Sequence, residues 1–363
     1  MKIPPADRRE RASRLVADFR EGRRPALARA ISIVERGGSA AMGVLADLLL
    51  AQPQARRFGI TGPPGAGKSS LIRALATLLR ARGEEVAIIA VDPTSPFSGG
   101  ALLGDRIRMN DMATDPGVFI RSMATRGSLG GLAASTREAI DLLDAFGFPN
   151  VLVETVGVGQ TELEIASTAD SVAVVLVPES GDGVQAMKAG LMEIADLFVV
   201  NKSDRVGADR MVRAIRQALL LRAGHAGRDL PAHHGVDLKR MSGESEGGSA
   251  ARRPGAAAAP PSPPPSGWSI PVIKTSAGRG EGIDGMLEQL LEHQRYLEVS
   301  GELELRRRTR ARQRIRQVVE RRLARRAREH LATHPELERW VGEVAAGRST
   351  AYGVAQEVAK TIA

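Results

Sequence analysis

The chain contains no cysteine. That excludes disulfides, thiolate metal sites and a cysteine nucleophile, and it fits a reducing compartment. Long apolar runs are missing too. No window approaches the ~20 apolar residues that a membrane-spanning helix needs. The opening stretch MKIPPADRRERASRLVADFREGRR lacks the apolar core of a secretory signal. Together these absences make a soluble, cytoplasmic protein with no membrane partner the expectation. The adjacent His233 and His234 have no other His, Cys or carboxylate cluster at ligand spacing, so they read as solvated loop and not as a metal site.

The formal net charge is +9, and it is localised. Residues 306–330, RRRTRARQRIRQVVERRLARRAREH, carry twelve arginines against two glutamates, enough to account for the whole excess. One basic element is not a global nucleic-acid signature, and no aromatics interleave with these arginines for base stacking. Ile315, Val318, Val319, Leu323, Ala327 and Leu331 form an apolar stripe at helical spacing. The segment is read as a helix that packs or dimerises through this stripe with a solvated arginine face. A homodimer is expected and a nucleic-acid partner is not.

A length of 363 residues with 43% hydrophobic content supports one large α/β domain with appendages. Residues 1–54 read as a helical extension. RRPALARAISIVERG (23–37) places Leu27, Ile31 and Val34 at helical spacing before Gly37–Gly38, and SAAMGVLADLLLAQ follows and stops at Pro53. From Arg56, short apolar runs alternate with helical stretches. Candidate strands cover 56–61, 85–92, 118–122, 150–155, 171–178, 197–202 and 270–277. Near-continuous Val/Ile/Leu runs are what a parallel sheet covered on both faces requires. The expected fold is therefore α/β, a doubly wound, mostly parallel sheet over 55–223 and 268–295. Its ligand would lie at the C-terminal ends of the strands. Residues 224–267, rich in Ala, Gly, Pro and Ser, bury too little apolar surface to offset their ordering entropy and are expected to be a disordered insertion. The tail, 296–363, is expected to be helical.

GITGPPGAGKSS follows the first candidate strand and precedes a helix. Gly62-x-x-x-x-Gly67-Lys68-Ser69 in that setting is the P-loop pattern of a nucleoside triphosphatase. Backbone N–H groups of Gly62, Pro64-flanked Gly65, Ala66 and Gly67 converge on phosphate oxygens, with Pro63 shaping the loop and Ser70 continuing into the helix. Lys68 would reach the β/γ-phosphates, and the Ser69 hydroxyl would ligate Mg²⁺. Downstream, LFVVNKSD ends a strand with Asn201-Lys202-x-Asp204. Guanine presents N1–H and an exocyclic NH₂ on one edge, and a carboxylate such as Asp204 accepts both, whereas adenine has no matching donor pair. Asn201 would support the loop and contact the base, and the Lys202 stem would lie along the purine. Ser276, Ala277 and Gly278, at the end of the last strand, can present N–H groups to the guanine O6. GTP or GDP is thus expected over ATP. Asp92, Asp105 and Glu154 are the acids placed to serve Mg²⁺ or the attacking water, and the sequence leaves open which does which.

GITGPPGAGKSS, AVDPTSPFSGGALLGDRIRM, VETVGVGQTE, VVNKSD and the N-terminal ALARAISIVE together resemble the MeaB/ArgK family. These are G proteins that accompany adenosylcobalamin-dependent acyl-CoA mutases, above all methylmalonyl-CoA mutase. The resemblance implies a GTP-hydrolysing chaperone that gates loading of adenosylcobalamin carried by the partner. It implies that Glu at position 154 is the family's normal form and that Lys188, in PESGDGVQAMKAG, couples partner binding to hydrolysis. Lys68, Asp92, Asp105, Glu154 and Lys188 are then the residues expected to act in the reaction. Val158, and not a water-orienting Gln, follows Gly157, so hydrolysis by the chain alone should be slow. Competing readings are a metal-insertion GTPase, disfavoured by the missing Cys, and a transport-associated ATPase or kinase for basic amino acids, disfavoured by the guanine-type loop. A non-enzymatic nucleic-acid module would leave the P-loop unexplained.

Overall fold

The computed structural model describes residues 5–37, 39–49, 53–92, 112, 114–124, 134–155, 164–178, 190–225 and 267–362. Their centre is a seven-stranded sheet in the order β3-β2-β4-β1-β5-β6-β7. Its strands are β1 (Arg56–Thr61), β2 (Val86–Asp92), β3 (Val118–Ala124), β4 (Asn150–Glu154), β5 (Ser171–Leu176), β6 (Leu197–Val200) and β7 (Val272–Lys274). Every pairing is parallel. All strand C-termini therefore meet along one edge.

The apolar runs make this sheet because both of its faces are covered. Along β4, Val151 and Val153 face one layer of helices and Leu152 faces the other, and all three are buried. One layer holds α1 (Pro5–Arg20), α2 (Arg24–Arg36), α3 (Ser39–Leu48), α5 (Ala134–Phe146), the short α6 (Leu191–Ile194) and α7 (Ala208–His225). The other holds α4 (Lys68–Ala81), contributing Leu71, Ile72, Leu75 and Leu79, and α8 (Ile283–Ser300), contributing Met286, Leu287 and Leu290. Helix α2 forms where the sequence places it. A proline sits in its first turn, and Gly37 closes it at φ 69° with its N–H on Ile33 O and Val34 O.

The strands differ from the expected runs chiefly at their C-termini. β6 stops at Val200 because Asn201 turns into a loop and Lys202 adopts φ 55°. β7 stops at Lys274, with Thr275 donating its N–H back to Val200 O at 2.9 Å. β3 runs two residues past its expected end, since its ladder with β2 continues to the pair Asp92↔Ala124. Of the insertion expected over 224–267, residues 224–225 instead complete α7 and Gly267 is described, while 226–266, with Asp105, Lys188, Gly157 and Val158, lie outside the described residues.

The opposite edge of the sheet is tied by buried charge. The Arg57 guanidinium reaches Asp144 Oδ2 at 2.7 and 3.1 Å and Asp141 Oδ1 at 2.9 Å. Asp144 Oδ1 in turn accepts N–H bonds from Gln54 at 2.9 Å and Ala55 at 3.0 Å. At the same edge His293 of α8 contacts Ser171 Oγ through Nδ1 at 2.8 Å and Asp196 Oδ1 through Nε2 at 3.3 Å. The Trp268 indole N–H donates to Asp196 O at 2.7 Å, and its ring lies 4.8 Å from His293 and 5.5 Å from Tyr296. This cluster fastens the chain where it rejoins the sheet before β7.

Contacts divide the chain into one unit over 1–303 and a second over 304–363. The second unit is built on α9 (Glu302–Ala332), α10 (Leu337–Ala345) and α11 (Ala351–Ile362). Its one buried aromatic, Trp340, stacks on His334 at 4.4 Å. Helix α9 buries no residue, and Ile315, Val319 and Leu323 of its apolar stripe are 66%, 49% and 56% exposed.

The Arg57 network generates a stability prediction. Asp144→Ala leaves a buried guanidinium short of a partner and orphans two backbone N–H groups, which should lower the unfolding free energy by about 3–5 kcal/mol. Urea unfolding followed by circular dichroism measures it, and a loss below about 1 kcal/mol would show that the network carries little.

Candidate nucleotide site

Four strands, β1, β4, β6 and β7, each deliver one part of the site at the C-terminal edge. β1 ends at Thr61 and leads through Gly62, Pro63, Pro64, Gly65, Ala66 and Gly67 to Lys68, the first residue of α4. Glycine is required at two of these positions for different reasons. At Gly62 (φ 137°) a Cβ would stand 2.0 Å from Val175 O of the neighbouring strand β5. At Gly67 (φ 85°), which caps α4, a Cβ would stand 2.4 Å from the Asn201 side-chain nitrogen. The loop is thus pressed against β5 on one side and against the base-recognition loop on the other.

The Lys68 ammonium is drawn back over the loop, donating to Gly62 O at 2.8 Å and Pro63 O at 3.0 Å. These carbonyl contacts hold a cation above the cradle, which is where phosphate oxygens would be received. The Ser69 hydroxyl donates to Glu154 Oε1 at 2.7 Å, and both residues are buried. Glu154 is the last residue of β4, and the pairing Ala90↔Glu154 sets the C-terminal end of β2, with Asp92, beside it. Ser70 follows on the exposed side of the first turn.

Asn201 is the junction between the phosphate loop and the base loops. Its Nδ2 donates to Ala66 O at 2.8 Å, and its Oδ1 accepts from Thr275 Oγ1 at 3.1 Å and from Ala277 N at 3.2 Å. Asp204 Oδ1 accepts from Ser276 Oγ at 2.8 Å, and Arg279 Nη2 lies 3.8 Å from its Oδ2. The Ser276 hydroxyl, then the backbone N–H of Asp204 itself, then Arg279 and Arg205 hold the Asp204 carboxyl below its ordinary pKa, so it is an anionic acceptor. Ser276 N–H is engaged with Glu281 O at 2.9 Å, and Gly278 continues the same turn.

The structure brings together Gly62–Ser69, Glu154, Asn201, Lys202, Asp204, Ser276, Ala277 and Gly278, and sets the backbone of Asp92 on the same edge. Asp105 and Lys188 fall outside the described residues. Four contributors carry no motif in the sequence: Thr275, Arg279 and the buried pair Thr61 and Thr155. A polar residue ending an otherwise apolar run was the available signal for both Thr61 and Thr275.

A glycine-rich loop entering a helix, with an Asn-Lys-x-Asp loop beside it on one edge of a parallel sheet, defines a P-loop nucleotide-binding protein. A family model described as Methylmalonyl Co-A mutase-associated GTPase MeaB matches residues 27–332. A relative from Pyrococcus horikoshii is 45% identical over 305 residues, 84% of this chain and 84% of its own. The mouse protein named methylmalonic aciduria type A homolog, mitochondrial, is 34% identical over 347 residues, 92% of this chain and 74% of that protein. GTPase ArgK of Escherichia coli is 45% identical over 190 residues, 51% of this chain and 57% of its own. A solved structure of a LAO/AO transport system kinase has the same fold, with a TM-score of 0.61 at 24% identity, covering 100% of this chain and 99% of that one. The chain belongs to the MeaB family of mutase-associated GTPases, and it is a GTP-hydrolysing enzyme. Among the described residues no helix is long and apolar enough to cross a membrane, and no three His, Asp or Glu residues form a metal cluster.

Asp204 supplies the test of base recognition. Asp204→Ala should weaken GDP binding by at least ~10-fold, the worth of hydrogen bonds to a charged acceptor, while leaving the already poor binding of ADP unchanged. Titration calorimetry with both nucleotides decides it, and equal losses for GDP and ADP would remove Asp204 from base selection.

Proposed function

We propose that the chain is a GTP-dependent chaperone that gates the loading of adenosylcobalamin into methylmalonyl-CoA mutase, or a related acyl-CoA mutase, and protects that enzyme. The observation that carries this reading is the family match over residues 27–332. The name of the mouse relative, which refers to methylmalonic aciduria, supports the same client. Adenosylcobalamin is the partner's cargo in this reading, since the chain carries no cobalamin motif.

The site residues divide the work as follows. Lys68 exchanges its two loop carbonyls for β- and γ-phosphate oxygens of GTP. The loop N–H groups from Gly62 to Ser70 and the N-terminus of α4 cradle the same phosphates. Asp204 accepts the two guanine donors, Asn201 holds the base loop to the phosphate loop, and the Lys202 stem flanks the purine. Ser69 and Glu154 present hydroxyl and carboxylate oxygens 2.7 Å apart, a hard donor set that suits Mg²⁺, with Asp92 and Asp105 as the further acids. Magnesium, when bound, neutralises charge on the transferring phosphate. Val158 stands where a water-orienting Gln would help, so turnover is slow until the client engages the segment that contains Lys188. Nucleotide state then biases the affinity for the mutase by its differential binding to two conformations.

A homodimer is part of the same proposal. The row Ile315, Val319, Leu323 on α9 is exposed, and a second copy of this helix is the occupant that the apolar stripe suits.

Two measurements test the reading. GTP turnover should be slow alone and rise at least ~10-fold with the organism's own methylmalonyl-CoA mutase, with ATP turned over poorly and Lys188→Ala abolishing the rise. No rise with any acyl-CoA mutase would overturn the client assignment. Leu323→Glu should halve the mass seen by light scattering, and an unchanged mass would remove α9 from the dimer contact.

A further inference from the structure

Two threonines stand at the C-terminal ends of β1 and β4. Thr61 is the last residue of β1, and Gly62 follows it. Thr155 comes directly after Glu154, the last residue of β4. Their Oγ1 atoms are 2.8 Å apart, and both residues are fully buried. Thr155 N–H also donates to Ile60 O at 3.2 Å, which carries the β1–β4 ladder one step past the Ile60↔Glu154 pair.

Burying two hydroxyls here is not required for packing. The neighbouring interior positions of these strands hold Phe58, Ile60, Val151, Leu152 and Val153. Valine has nearly the shape of threonine and carries no desolvation cost. What the hydroxyl pair adds is direction. An apolar contact tolerates sliding, whereas a buried hydrogen bond holds the two strand ends at one separation beyond the last ladder pair.

That separation matters because of what adjoins it. Glu154 precedes Thr155 and receives the Ser69 hydroxyl at 2.7 Å. Thr61 and Ser69 bracket the phosphate loop, so the Thr61–Thr155 and Ser69–Glu154 bonds close the loop against the end of β4 at both of its ends. On the other flank Gly62 is pressed against Val175 O of β5. The loop entry is thus held between a backbone contact it cannot yield and a hydroxyl bond that can be broken by one atom.

We propose that the Thr61–Thr155 hydroxyl pair is a positioning element for GTP hydrolysis. It fixes Glu154 relative to Ser69 and ties the end of β4 to the start of the phosphate loop. The assignment rests on this edge being the GTP site. Neither threonine touches the nucleotide in this role, so the pair governs the rate of hydrolysis and not the affinity for guanine.

The experiment is single-turnover GTP hydrolysis on the full chain, with GDP affinity and melting temperature recorded for each variant. Thr61→Val and Thr155→Val should each lower the rate about tenfold, the effect of one lost hydrogen bond, with GDP affinity changed less than twofold. Thr61→Ser and Thr155→Ser keep the hydroxyl and should restore the rate. In the Thr61→Val/Thr155→Val double variant no orphan hydroxyl remains, so the melting temperature should recover while the rate stays low. A double variant that recovers both would overturn the proposal, because apolar packing would then suffice. So would single variants that lose rate, GDP affinity and melting temperature together, since that pattern reports a fold defect. The wild-type rate on GTP against ATP tests the identity of the site itself, whereas ratios between variants test the pair.

Discussion

Asn201 is buried to 2% exposure, and its carboxamide uses both ends on parts of the chain that are distant in sequence. The amide nitrogen holds Ala66 of the phosphate loop, 135 residues away, and the oxygen holds Thr275 and Ala277, 74 and 76 residues away. A buried amide is worth most when all its bonds are made and costs most when one is lost. Three loops therefore take up their positions together or not at all. The lack of a side chain at Gly67 belongs to the same constraint, because any Cβ there would displace the amide. Selection of the base and gripping of the phosphates are consequently not independent properties of this edge.

Much of the architecture was legible because the two faces of the sheet are both buried. Runs such as VLVE and VAVVL can satisfy that condition only as interior parallel strands, and they proved to be β4 and β5. The phosphate and base loops were legible because their chemistry dictates residue types at fixed spacing. The ends of strands were less so. Val200 and Asn201 are adjacent in sequence, yet one lies in the ladder and the other leaves it, which depends on Thr275 and Ala66 arriving from elsewhere. The Thr61–Thr155 contact spans 94 residues and exists only because β1 and β4 are neighbours, an order that pattern alone does not fix. The amphipathic character of α9 was also readable, but its exposure within one chain was not, because a stripe looks the same whether its cover lies in the same chain or another.

The two edges of the sheet follow different rules. The C-terminal edge is made of loops with positive-φ glycines and polar groups poised for exchange. The N-terminal edge is closed by the Arg57–Asp144–Asp141 network and by the His293, Asp196 and Trp268 cluster. Charge pairs close one edge, whereas the other combines buried neutral hydrogen bonds with groups that a ligand can displace.

Helix α7 leaves the reactive edge after β6 and runs 18 residues, about 27 Å, back to the closed edge. The chain is described again from Gly267, and Trp268 is bolted to Asp196 at that same closed edge. The 41 residues between His225 and Gly267 thus join the described chain at the edge opposite the phosphate loop. For protein engineering this makes the interval a natural port: a fluorophore-binding peptide or affinity handle could be spliced there, and the catalytic edge would be the last part of the molecule to notice.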